Sequence, residues 1–283
     1  MNATDRILSA LQNIDRRILY VVVALIISVP LVVKLDYHPG IVFSEVKRAY
    51  DVLEKTPRDK VVFISTIFSG STQAENGEQT AVIVRHLFKK KQPFVMVSWD
   101  QAGNRLSYEM TEKIAREMNM EYGSDWLHLG YRIPNLQTML RGFGTDFQGT
   151  FKTDYKGNGL KETPLGARLK SAKDIGAVVE ITPSATLESW IAYFCEPYHV
   201  PLVYCPAAVL AASAYPFLDT GQVAGMLNGV VGAAQYETLL DDDPGPTSAG
   251  AMSLSLSLAH IVILVFIVLG NLAYLLEKRR KAK

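Results

Sequence analysis

The chain has 283 residues, with 29 Lys and Arg against 28 Asp and Glu and 48% apolar side chains, enough for one large domain or two small ones. The charges are segregated: residues 1–35 hold four basic against two acidic side chains, residues 251–283 hold five against one, and the middle, 36–250, holds 20 against 25. An acidic middle without a basic stripe excludes the electrostatic footprint of a nucleic-acid-binding protein, so no nucleic-acid partner is expected.

In chain order, a short tail (1–17) carrying Arg6, Arg16 and Arg17 leads into ILYVVVALIISVPLVV, an uncharged run over 18–33. A membrane span needs roughly 20 apolar residues, and flanking Arg17 and Lys34 can reach back to the interface, so 18–35 is assigned as a first span. No small-residue cleavage site follows in VPLVVKLDYHPG, which favours an uncleaved signal anchor over a removed signal peptide. The segment 43–56, FSEVKRAYDVLEKT, has helical spacing through Val46, Ala49, Tyr50 and Leu53.

A β-branched run at 60–68, KVVFISTIF, predicts a strand that ends in the loop SGSTQAENG. A helix follows over 78–90, closed by the basic run KKK at 89–91, then a strand at 93–99 (PFVMVSW) and a loop opening at Asp100. A second helix spans 108–118, and WLHLGYR at 126–132 predicts a third strand. Residues 134–166 break this rhythm: they are polar, glycine-rich and weakly periodic, and read as an irregular excursion whose aromatic residues pack. The alternation resumes with a strand at 176–181 (GAVVEI), a helix at 185–194, a strand at 200–204 (VPLVY) and a helical PAAVLAASA.

GQVAGMLNGVVGAAQYE (221–237) reads as one helix in spite of its glycines. On it Gly221, Gly225, Gly229 and Ala233 fall four residues apart and form a smooth stripe, the pattern that brings helices into backbone contact. That stripe meets either the chain's own elements or a second subunit; a further reading has part of 197–236 touching the bilayer. DDDPGPTSAG (241–250) is an acidic juxtamembrane linker. Residues 251–276, free of acids, Lys and Arg, form a second span, and the basic tail 277–283 closes the chain.

Strands alternating with helices predict a doubly wound, mostly parallel α/β domain (36–240) inserted between an N-terminal and a C-terminal transmembrane helix. The basic flanks place both termini in the cytoplasm and the central domain outside it, across a cell or inner membrane.

In open parallel sheets ligands bind beyond the carboxyl ends of the strands. Four loops converge there, and their polar residues Ser69, Ser71, Thr72, Asp100, Ser184, Thr186 and Cys205 are the candidate ligand-binding set. Ordinary helix capping is the competing reading for these side chains. Neither a Walker loop nor GxGxxG is present, and no His, Cys or carboxylate cluster has metal-ligand spacing, so no cofactor and no metal are expected. Nucleophilic catalysis would rest on Ser71 or Cys205, but the sequence places no base beside either. Cys195 ends a helix at the far edge of the sheet from Cys205, roughly 16 Å away by strand rise, so the two are not expected to be bonded to each other.

The phrases RHLFKKK (85–91), LGYR (129–132), TDYKG (153–157) and the glycine-rich 221–237 together resemble a group of prokaryotic two-span membrane proteins. That resemblance implies one extracytoplasmic α/β domain between two anchors and carries over no catalytic residue. The leading functional expectation is a non-catalytic assembly subunit, a homo-oligomer or a component among other membrane proteins. A small-ligand-binding or sensory domain at the carboxyl edge of the sheet is the alternative, and an anchored Ser or Cys hydrolase the third.

Overall fold

The computed structural model describes residues 15–33, 35, 37–132, 135–241, 245 and 247–281. The first fourteen residues of the N-terminal tail with Arg6, the flanking Lys34, residues 133–134 at the head of the excursion, Asp242 and Asp243 of the linker, and the last two residues lie outside them. Two compact units emerge. One holds both apolar helices; the other spans His38–Pro244.

In the first unit, α1 (Arg16–Val33) and α12 (Ser248–Lys281) are long and apolar enough to cross a membrane. Their large side chains, among them Tyr20, Val32, Leu264 and Tyr274, are mostly exposed. The helices meet through small residues, with Ala249, Ala251, Ser253 and Ser255 buried, and the Ser255 hydroxyl donates to the Ile27 carbonyl at 3.0 Å.

The central unit opens with α2 (Ser44–Lys55) and is built on six strands: β1 (Val61–Thr66), β2 (Phe94–Ser98), β3 (Trp126–Tyr131), β4 (Ile175–Thr182), β5 (Leu202–Pro206) and β6 (Gly225–Met226). All neighbours are parallel, and the order is β3-β2-β1-β4-β5-β6. A fully buried strand such as β1, with all six residues inside, is what a sheet covered on both faces requires. One face packs under α2, α3 (Glu78–Lys90), α4 (Gln101–Glu117) and α11 (Gly229–Leu240). The other carries α5 (Leu136–Thr145), α6 (Phe147–Thr150), α7 (Pro164–Arg168), α8 (Leu187–Trp190), α9 (Glu196–Tyr198) and α10 (Ala208–Asp219). A five-residue π-type turn precedes α3 at Gln73–Gly77, and another joins α8 to α9 at Ile191–Cys195.

Residues 135–168 correct the expectation of an irregular excursion. They are the crossover from β3 to β4, folded as short helices each opened by its own cap: Asn135 for α5, Asp146 for α6 and Thr163 before Pro164 for α7. Frequent caps interrupt the helical period, which is why the sequence pattern is faint. Leu140, Phe143, Phe147, Phe151, Leu160 and Leu165 are all buried, with Phe143 stacked on Phe63 of β1 at 4.8 Å between centroids.

The single helix expected over 221–237 is also corrected. Gly221 has φ +82° and Gly229 φ +53°, both left-handed, and between them the chain runs extended as β6. Its backbone bonds go to β5 rather than along a helix: Ala224 N–H donates to the Leu202 carbonyl at 2.8 Å and Leu227 N–H to that of Tyr204 at 3.0 Å. Gly225 still marks a close approach, because a Cβ there would lie 2.2 Å from the Ala49 backbone nitrogen of α2. Gly221, Gly225, Gly229 and Ala233 therefore do not form a stripe, and Ala233 is a buried residue of α11.

Candidate functional site

The strand order reverses between β1 and β4. The chain leaves β1 through α3 on one face and leaves β4 through α8 on the other, opening a crevice at the carboxyl ends where open α/β sheets bind ligands. On that line, side by side in register, lie Ser65 of β1, Glu180 of β4 and Tyr204 of β5. All three alternate onto the face covered by α8 and α10.

Glu180 is fully buried. The Thr186 hydroxyl donates to its Oε1 at 2.6 Å, while Oε2 has no hydrogen-bond partner among the described residues. The indole N–H of Trp190, also buried, lacks a partner among them too. Ser65 Oγ accepts from the Trp99 indole at 2.8 Å, which leaves its own proton free to turn toward Glu180. Burial pushes the Glu180 carboxyl up to about 7, with Ser65, Thr186 and Trp190 pulling the other way. A carboxyl group buried on a central strand is costly to ionise in the folded state, and such groups concentrate at functional sites.

Tyr204 forms the floor of a cavity of about 160 Å³ between α8 and α10, walled by Leu187, Leu210 and Phe217 with Glu188 and Ser213 at the rim. Its hydroxyl makes no hydrogen bond among the described residues, and burial raises its pKa, with Glu180 adding to the rise, so it stays protonated. A larger and more open depression, about 230 Å³, lies at the opposite edge of the sheet among Cys195, His199, Val200 and Gly221. There burial raises the Cys195 thiol, which argues against a reactive thiolate.

The predicted site residues divide. Thr186 joins the buried carboxylate. Asp100 caps α4, its Oδ1 accepting from the Gly103 N–H at 2.7 Å. Ser69, Ser71 and Thr72 tie up their own loop, with Ser69 Oγ 2.9 Å from Ser71 Oγ and Thr72 Oγ1 accepting from the Ser69 N–H. Ser184 sits in a turn held by Thr182. Cys205 belongs to β5 rather than to a loop; it points to the opposite face from Tyr204, is fully buried, and burial raises its thiol. Cys195 and Cys205 are both free thiols.

Sequence reading passed over Ser65, Glu180, Trp190 and Tyr204. The signal for Glu180 was present, since it is the one charge within the run GAVVEIT. No known protein family, curated protein sequence or solved structure matches this chain.

Proposed function

We propose that this chain is a membrane-anchored small-ligand-binding domain whose site is the cleft between α8 and α10 at the carboxyl edge of the sheet. The observation that carries this reading is a cavity with Tyr204 in its lining and the buried Glu180 carboxyl one strand behind it. A concave, mostly apolar site with a few polar groups beside a strongly shifted carboxyl is where a ligand is to be sought. Support for a bilayer anchor comes from the two apolar helices, and support for an extracytoplasmic domain from the basic residues Arg16, Arg17, Lys278 and Arg279 at their flanks. The assembly reading loses its main support with the glycine stripe, and a hydrolase built on Cys205 would need an accessible thiolate.

The test is thermal unfolding of the full chain in detergent against a chemically diverse set of small molecules, for the native protein and for Leu210→Trp, which fills the cleft. Ligands of the cleft raise the melting temperature of the native protein and leave the variant unmoved. Equal shifts in both, or none in either, sink the proposal. Orientation is checked separately: Ser71→Cys, at an exposed position, reacts with a membrane-impermeant maleimide added to intact cells. Labelling only after lysis would reverse the assignment.

A further inference from the structure

The geometry points to the class of molecule the cleft takes: a small primary ammonium compound with an apolar body. This rests on the cleft being the ligand site. Among the described residues lining it, Glu188 is the only charged side chain and none is basic. Behind the floor stands a second carboxyl group, Glu180, on the same face and beside Tyr204. An anion entering here would meet both with no lining cation to offset them, in a pocket where the apolar walls weaken screening.

A cation finds the reverse. Glu188 at the rim attracts it, and the Tyr204 side chain in the lining brings an electron-rich ring and an oxygen whose lone pairs can accept an N–H. Leu187, Leu210 and Phe217 provide apolar walls for the rest of the molecule. The volume, about 160 Å³, suits a body the size of a phenyl ring or a short alkyl chain and excludes a nucleotide. Charge at one end and apolar contact at the other are the two marks that set such an amine apart from an alcohol or an acid of equal size.

Three near-isosteres separate the possibilities: 2-phenylethylamine, 2-phenylethanol and 3-phenylpropionate, titrated calorimetrically into the full chain in detergent at neutral pH. The amine is expected to bind about five- to tenfold more tightly than the alcohol, with the acid weakest. Glu188→Gln is expected to remove most of the amine's advantage and leave the alcohol's affinity unchanged, while Leu210→Trp weakens amine and alcohol alike. If the alcohol or the acid binds as tightly as the amine and Leu210→Trp still abolishes binding, the ammonium assignment falls and the cleft stands. If none of the three binds, the ammonium assignment falls and the cleft is judged by the wider set of molecules; if the amine binds equally well to Leu210→Trp, both readings fall.

Discussion

Two histidines under one face of the sheet and a glutamate under the other are buried in opposite ways. Under α2, α3, α4 and α11, two histidines are buried with both ring nitrogens engaged. His86 contacts the Tyr236 hydroxyl at 2.5 Å through Nδ1 and Glu54 at 2.9 Å through Nε2, and it is stacked on Tyr50. His128 accepts from the Gly130 N–H through Nδ1 and meets Ser107 Oγ at 3.0 Å through Nε2. A neutral imidazole with one donor and one acceptor nitrogen fits each set of partners, and burial holds both rings below their ordinary pKa, His128 down to about 3. Across the sheet Glu180 is equally buried, but burial pushes its carboxyl up to about 7, and it stands one strand from Tyr204 in the lining of a cavity. Groups held far from their ordinary charge state lock a fold; one poised near neutrality beside a cavity is where a ligand should be sought.

The sharpest way to break the first face is at Gly225. Valine there drives a side chain into the backbone of α2 at Ala49, which cannot yield as a flexible side chain would. A loss of about 3 kcal/mol or more is expected, read as a collapse of the melting temperature. A tolerated valine would mean that β6 and α2 are not held this closely.

Next in size is the pH dependence, where the faces pull against each other. The folded pKa of Glu180 is raised from 4.5 to about 7, so the folded state holds its proton longer than the unfolded chain does. That favours folding at low pH, and the advantage is lost as pH rises through 7, by roughly 3 kcal/mol between pH 4.5 and 8. The depressed histidines work the other way: below about pH 6.5 the unfolded chain takes up protons that the folded state refuses, so stability falls with acid. In Glu180→Gln the decline between about pH 4.5 and 7 is expected to vanish and the acid-side loss of the histidines to stand alone. Unfolding curves from pH 4.5 to 8 decide this, and an unchanged slope between pH 4.5 and 7 would show that Glu180 does not titrate there.

Tyr236→Phe tests the histidine lock at smaller cost. It strips the hydroxyl from His86 Nδ1 and leaves a buried acceptor without its donor, worth about 2 kcal/mol. The loss should be largest above pH 7, where the ring is neutral, and should leave ligand binding in the cleft unaltered.

Legibility in the sequence followed the length of each pattern. Long β-branched runs such as KVVFISTIF and GAVVEIT fall where strands β1 and β4 form, and the two apolar runs fall on α1 and α12. The crossover 135–168 was obscure because its helices are only four to ten residues long, too short for a period to build. The segment 221–237 misled because small and apolar residues at four-residue spacing carry no record of backbone dihedrals, and the left-handed Gly221 and Gly229 break the helix that the spacing implies. At the site, polar loop residues were favoured over buried ones. Asp100 and Thr72 serve the backbone of their own segments. What separates Glu180 from a buried charge with full partners is the register that sets it between Ser65 and Tyr204, and register is a property of three distant segments meeting.

The smallest effect isolates the one predicted loop residue that reaches the carboxylate. Thr186→Val removes the hydroxyl that donates to Glu180 Oε1 at 2.6 Å. A hydroxyl bonded to an ionised carboxylate favours the charged form, so its loss raises the folded pKa of Glu180 further above the unfolded value. The sign follows: below pH 5, with Glu180 protonated in both proteins, the variant should match the native chain closely. Above pH 7 it should be weaker by roughly 1 kcal/mol, since the native chain then keeps a charge-assisted bond that the variant lacks. Its decline with pH should also extend to higher pH than the native decline. A loss of equal size at pH 5 and pH 8 would assign Thr186 to packing alone, and would leave the tuning of Glu180 to Ser65 and Trp190.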